Sequence, residues 1–199
     1  MFDTIKEECG VFGIYDTARA DVAKSTYYAL YALQHRGQES CGMAVNDDGI
    51  VRFHSDVGLI PEVLTKSVLD ELGKGNIAVG HVRYSTMGGL NRANAQPLVI
   101  RHIKGTMALA HNGNITNAYK LREELELNGA IFHGTSDTEV IAYIITQQRL
   151  IARSAEEAVE KAMYKLKGAY SLVLMSPKKL IAARDPIGFR PLCMGRTKD

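Results

Sequence analysis

Cysteine is scarce in this chain: three residues in 199, at positions 9, 41 and 193, with no Cys-x-x-Cys spacing. An odd, scattered set argues against a disulfide framework and a cysteine-rich zinc site, and it suits a reducing cytoplasm. Long apolar runs are missing as well. No segment approaches the roughly 20 residues of a membrane span, and the opening Met-Phe-Asp-Thr-Ile-Lys-Glu-Glu is too polar for a signal peptide. Nor is there an excess of either charge, since 24 Lys and Arg against 22 Asp and Glu leave +2. No basic stretch is interleaved with stacking aromatics, so neither nucleic acid nor membrane is expected as a partner. Internal repeats and low-complexity segments are absent too. What is present suffices for one domain with a core of its own.

The apolar pattern alternates between strand and helix signals. Val11–Tyr15 reads as a buried strand. Val22–Arg36 carries Tyr27, Leu30 and Leu33 at helical spacing and delivers His35-Arg36-Gly37 at its end, with Gly37 as a left-handed stop. Asp47-Asp48-Gly49 between Met43–Asn46 and Ile50–His54 is a hairpin signal. Ile77–Tyr84 reads as a central strand that ends in His81, Arg83 and Tyr84. Ser85–Pro97, rich in Gly and Asn, reads as a long mobile loop, a candidate lid. Met107–Ala110 is a short strand that runs into a turn, His111-Asn112-Gly113-Asn114. A helix from Thr116 or Asn117 to Leu127 follows. Ser136-x-x-Glu139 and Ser154-x-x-Glu157 are capping boxes that open two more helices. Tyr170–Met175 and Leu180–Ala183 close the series as adjacent strands. Strands, then helices, then strands again indicate an α+β domain with sheet packed on helix.

Several chemical readings compete at the marked residues. His35, His81 and His111 each end an element and could share a metal, but their spacing has no metal signature and a hydrogen-bonding role fits better. Gly88-Gly89 lacks the Lys-Ser/Thr of a phosphate loop, and Ser85 or Thr86 beside His81 lacks a nucleophile elbow. Cys9 alone reads as a small core residue, Arg83 as one half of an ion pair, Asn112-Gly113 as a turn, and Asp137 as a partner of its helix dipole. Together they supply a thiol nucleophile, a donor pair for an oxyanion, a guanidinium for a carboxylate and an acid for an ammonium. That set suits amide cleavage.

Five segments carry a resemblance: Cys9-Gly-Val-Phe-Gly-Ile14, Leu33-Gln-His-Arg-Gly-Gln-Glu-Ser40, Gly80-His-Val-Arg-Tyr-Ser-Thr86, Leu109-Ala-His-Asn-Gly-Asn-Ile-Thr-Asn117 and Thr135-Ser-Asp-Thr-Glu139. In this order they resemble the glutaminase domain of the amidophosphoribosyltransferases, among the class II glutamine amidotransferases and N-terminal nucleophile hydrolases. The resemblance implies a four-layer α/β/β/α sandwich that here ends before its last strands. It implies a propeptide, 1–8, cut ahead of Cys9, and a glutamine amidotransferase type 2 domain over 9–199, with the phosphoribosyltransferase domain absent. It makes Cys9 the nucleophile, Asn112 and Gly113 the oxyanion hole, and Arg36 and Gly37 the pair that orients the nucleophile. Arg83 would bind the glutamine carboxylate, Asp137 its ammonium, and Thr86 would line the substrate side of the loop. Glutamine is the implied substrate, with phosphoribosyl pyrophosphate reached through the absent domain and a homo-oligomer expected at full length. No cofactor or metal is expected within this chain. The family's magnesium, and the iron–sulfur cluster of some members, would bind outside it. Two other readings stay open: a stand-alone glutaminase subunit of another synthase, glutamate synthase among them, and an inactive module that senses glutamine.

Overall fold

The structure, a computed structural model, describes residues 9–18, 20–84 and 91–197. Residues 1–8, the expected propeptide, and Thr86 lie outside them. The first half of the chain runs β1 (Gly10–Tyr15), α1 (Val22–Leu33), β2 (Ser40–Asp47), β3 (Ile50–Val57), α2 (Ile60–Val63), α3 (Lys66–Leu72) and β4 (Ile77–Arg83). Its strands form one antiparallel sheet in the order β1-β4-β2-β3. The second half runs β5 (Leu98–His102), β6 (Gly105–Ile115), α4 (Ala118–Leu127), α5 (Asp137–Ile151), α6 (Ala155–Met163), β7 (Gly168–Ser176) and β8 (Lys179–Arg184). Its strands form a second antiparallel sheet, β5-β6-β7-β8. The sheets face one another, α1 covers the first and α4 to α6 cover the second, so the layers stack α/β/β/α.

The two-residue period of a strand decides which layer each side chain joins. In β4, Ile77 and Val79 point between the sheets while Ala78 and Val82 meet α1. His81 and Arg83 continue the inter-sheet row. In β6, Ala108 and Ala110 face the other sheet while Met107 and Leu109 meet the helices. By the same count His111 falls on the helix side and Asn112 between the sheets. Three alanines, Ala44, Ala108 and Ala110, sit in the inter-sheet core and let the sheets approach closely. On the helix sides the cores are built from larger groups, with Leu30, Ile60 and Leu64 in one and Leu109, Ile141 and Leu172 in the other.

Helices α1, α3, α5 and α6 start at side-chain caps, whereas Leu59 ahead of α2 and Asn117 ahead of α4 make no side-chain cap bond. Asp21 accepts the Lys24 N–H ahead of α1, and Ser154 accepts the Glu157 N–H ahead of α6. Ahead of α5, Ser136 accepts the Thr138 N–H, but Glu139 does not close the expected box. Its carboxylate turns back to accept from His133 N at 3.0 Å and Gly134 N at 2.8 Å, organising the preceding loop instead.

Other expectations need correction. His111–Asn114 is not a turn: β6 continues to Ile115, and these residues pair with Ala169–Leu172 of β7. A partner strand outweighs the local turn preference of Asn and Gly. Gly37 is not a left-handed stop, since its φ is −160°. It is needed for proximity, because a Cβ there would lie 2.7 Å from the Arg83 nitrogen and the Val82 carbonyl carbon. Helices α2 and α3, and strand β5, have no counterpart in the sequence reading. The expected mobile loop is pinned in its described half, where Asn94 and Gln96 are buried.

Candidate active site

Cys9 enters β1 from the inter-sheet side, at the sheet end where β4 and β6 also finish. Its backbone has φ +60°, a conformation that costs a non-glycine residue about 1–2 kcal/mol. Arg36, in the tight turn after α1, holds it there from both sides. The Cys9 N–H donates to the Arg36 carbonyl at 2.9 Å, and Arg36 Nε donates back to the Cys9 carbonyl at 2.9 Å. Asn112 Nδ2 reaches the same carbonyl at 3.4 Å from the opposite sheet. The thiol lies against the backbone of Tyr84, with Sγ 3.4 Å from both its N–H and its carbonyl oxygen. Cys9 is half-buried, whereas Cys41 is buried, and that burial beside Glu62 and Asp56 pushes the Cys41 thiol up to about 12.

Arg83 is the last residue of β4 and only 5% exposed. Its guanidinium lies 3.8 Å from Glu39, whose Oε2 is itself buried. The Gly37 turn packs on the Arg83 backbone, and the Glu39 N–H donates to the Arg83 carbonyl at 3.1 Å. Arg36, Gly37 and Arg83 therefore belong to one rigid corner with Cys9.

The free edge of β6 beyond β5 presents three amides. β5 stops pairing at Leu109, so among the described residues the outward N–H groups of His111, Gly113 and Ile115 meet no strand. Gln96 Oε1 accepts from His111 at 2.7 Å, and Asp137 Oδ2 accepts from Ile115 at 3.0 Å. Gly113 lies between them by the two-residue period. Its neighbour in β7, Tyr170, directs its own N–H and carbonyl to Asp185, so the Gly113 N–H has no partner in that ladder. An outward amide beside the Asn112 side chain is therefore available at the end of β6 nearest Cys9.

Asp137, 7% exposed, opens α5. Burial opposes its ionisation, yet the His111 ring at 3.5 Å and the Ile115 and Thr138 amides outweigh that and hold the carboxyl below its ordinary value. His81 is fully buried. Burial, helped by the nearby His111 ring and Arg83, pushes it down to about 3 against its bond to the His111 carbonyl, so it is neutral and donates through Nε2 at 3.0 Å. The three histidines do not gather: His35 turns back to the Ala32 carbonyl, and no cluster of three metal-ligating side chains occurs among the described residues.

The model of the glutamine amidotransferase domain matches residues 81–199, more than half the chain. The chain belongs to the glutamine amidotransferase domain family. It is 47% identical to the amidophosphoribosyltransferase of Methanocaldococcus jannaschii over 188 residues, 94% of this chain and 40% of that protein. It is 42% identical to the Bacillus subtilis amidophosphoribosyltransferase over 98% of this chain and 40% of that one. The solved structure of glutamine phosphoribosylpyrophosphate amidotransferase from B. subtilis, complexed with ADP and GMP, superposes with a TM-score of 0.85 at 41% identity, over 95% of this chain and 40% of that one. The chain thus spans about 40% of the length of these relatives.

Three contributors to the amidotransferase domain's site escape a reading of residue types. Tyr84 touches the thiol through its backbone, which any residue offers. Asn94 accepts from the Thr135 and Ser136 amides at 2.9 and 3.1 Å, tying the loop before β5 to the start of α5. Gln96 caps the β6 edge from the same loop. Neither amide residue stands out in a segment already rich in Asn and Gly. A cavity of about 410 Å³ between α4 and α5, lined by Asn117, Lys120, Leu125 and Lys165 among others, contains none of these residues. The bonds around Cys9, not cavity size, locate this site.

Proposed function

We propose that this domain hydrolyses glutamine to glutamate and ammonia through a thioester on Cys9. The observation that carries the reading is the Gly113 amide, turned out of the β6–β7 ladder beside Asn112, whose side chain already reaches Cys9. An outward backbone N–H next to a side-chain amide donor is what a tetrahedral oxyanion requires.

In this reading the Cys9 sulfur attacks the side-chain carbonyl carbon of glutamine. A C–S bond forms, and the carbonyl π pair moves to oxygen, where Asn112 Nδ2 and the Gly113 N–H stabilise it. Asn112 spends one amide hydrogen on the Cys9 carbonyl, and the second remains for the oxyanion. Collapse breaks the C–N bond and releases ammonia. Water then attacks the thioester, glutamate leaves and the thiol returns.

The base is the α-amine of Cys9 itself, freed when the peptide bond after Glu8 is cut and residues 1–8 are lost. An α-amine titrates near 7.7 to 8.0, so at neutral pH a useful fraction is unprotonated and takes the thiol proton, which it later passes to the leaving ammonia. Before the cut that nitrogen is an amide and the base is missing. Arg36, bonded to both the amide and the carbonyl of Cys9, and Gly37, which lets the turn sit on β4, orient the nucleophile. Arg83 pairs with the substrate carboxylate and Asp137 with its ammonium. Thr86 lines the substrate side of the loop.

The similarity to amidophosphoribosyltransferases supports a further step, in which the ammonia reacts with phosphoribosyl pyrophosphate in a part of the protein outside this chain, as the first step of purine synthesis. The magnesium and iron–sulfur groups of that family belong to the same outside part, and a homo-oligomer fits the longer protein. Three scattered cysteines in 199 residues, with no Cys-x-x-Cys spacing, support a reducing cytoplasmic setting.

Replacing Cys9 by Ala tests the glutaminase reading. Ammonia release from glutamine falls to background in Cys9→Ala, while a variant that retains measurable turnover assigns the chemistry elsewhere.

A further inference from the structure

We infer that His111 is a positioning residue that sets the direction of the Asp137 carboxylate and so the domain's preference for substrates bearing an α-ammonium. The inference rests on the glutaminase reading and on the geometry of one side chain. The His111 backbone belongs to β6 one residue before Asn112, while its ring crosses to the N-terminus of α5. Its side chain is 1% exposed. Ring Nδ1 lies 3.2 Å from Thr138 Oγ1 and 3.5 Å from Asp137 Oδ1. A carboxylate can only accept, so the ring holds Asp137 in the tautomer with its hydrogen on Nδ1.

Asp137 is then fixed at both oxygens from the same strand, Oδ2 by the Ile115 amide at 3.0 Å and Oδ1 by the His111 ring. The lone pairs not engaged by these two donors and the Thr138 amide are left for an ammonium. The His111 backbone is held just as firmly, its N–H by Gln96 at 2.7 Å and its carbonyl by His81 at 3.0 Å. One residue therefore fixes the spacing between the oxyanion donors at 112 and 113 and the acid at 137. Those groups meet opposite ends of the same glutamine. His111 touches neither end, and it acts through Asp137.

Two variants separate this role from a merely structural one. In His111→Asn the amide nitrogen falls near the place of Nδ1, whereas in His111→Gln it falls near Nε2, which has no hydrogen-bond partner among the described residues. Ammonia release is measured with glutamine and with its analogue lacking the α-amino group, and urea melts establish that both variants are folded. The Asn variant keeps the parental ratio of kcat/KM for the two substrates within about threefold. The Gln variant loses at least about tenfold of that ratio, through KM for glutamine rather than kcat, as expected when a buried charge partner is misdirected. Parental preference in both folded variants overturns the inference, as does an equal fall in kcat with the ratio intact. A parent chain that releases no ammonia from glutamine overturns the glutaminase reading, and this inference with it.

Discussion

Gly113→Ala is the sharpest perturbation of the oxyanion assignment, because its cost is written in the packing of β6 on β7. Gly113 has φ +143°, and a Cβ built on it would lie 2.1 Å from the Ala169 carbonyl oxygen and 2.8 Å from Tyr170 Cα. Ordinary contact begins at 3.4 Å, so the strand must retreat by roughly 1.3 Å, and both obstacles are backbone that cannot swing aside. An oxyanion donor works between about 2.7 and 3.1 Å, a window that such a shift leaves completely. Loss of one donor is worth about 3–4 kcal/mol of barrier, so kcat for glutamine falls by 10²–10³, with KM changed far less. The unfavourable φ adds about 1–3 kcal/mol of lost stability, and urea unfolding must show that the variant is folded when assayed. Gly105→Ala is the control. It lies at the other end of the same strand with φ +113° and nothing within 4 Å, so it bears the backbone cost without the displacement. Folded Gly113→Ala with kcat within about threefold of the parent would refute the oxyanion assignment.

Two further outcomes follow from buried groups. Arg83→Gln, which keeps hydrogen-bonding capacity but not charge, raises KM for glutamine by about 10–10³-fold and erases the preference for glutamine over its α-carboxamide; an unchanged KM places the carboxylate elsewhere. His81, held at about 3 in the fold, leaves the unfolded chain to take up the proton alone as pH falls from 6.5. Its contribution is therefore present at neutral pH and lost towards pH 3, at about 1.4 kcal/mol per unit. Urea unfolding at pH 6.5 and 4.5 should show the parent losing about 2 kcal/mol more than His81→Gln, and parallel losses contradict a neutral buried imidazole.

Much of this arrangement is legible in the residues because strand periodicity carries it. Counting by twos from Ile77 places His81 and Arg83 between the sheets, whereas the same count from Ala108 places His111 on the helices and Asn112 with Cys9 only once β6 runs on past Ala110. The five motifs supplied the remaining correspondence. What stayed hidden depends on partners far along the chain. The extension of β6 through Asn112-Gly113 needs β7, some 60 residues later, to outweigh local turn preference. The role of Gly37 depends on how closely its turn sits on Arg83, and nothing near position 37 encodes that distance. Glu139 suits a capping box in sequence, yet the unpaired amides of His133 and Gly134 claim it. Backbone contacts such as Tyr84 to the thiol leave no trace in residue type.

The central claim is that Cys9 reacts with its own α-amine as the base. Mass spectrometry of the active protein tests it, comparing intact mass and peptide maps before and after reaction with an electrophilic glutamine analogue. The expected result is a mature chain beginning at Cys9 and a single adduct on that residue, with Cys41 and Cys193 unmodified and ammonia release abolished in proportion to labelling. A chain that retains residues 1–8 and still turns over glutamine at the full rate contradicts it.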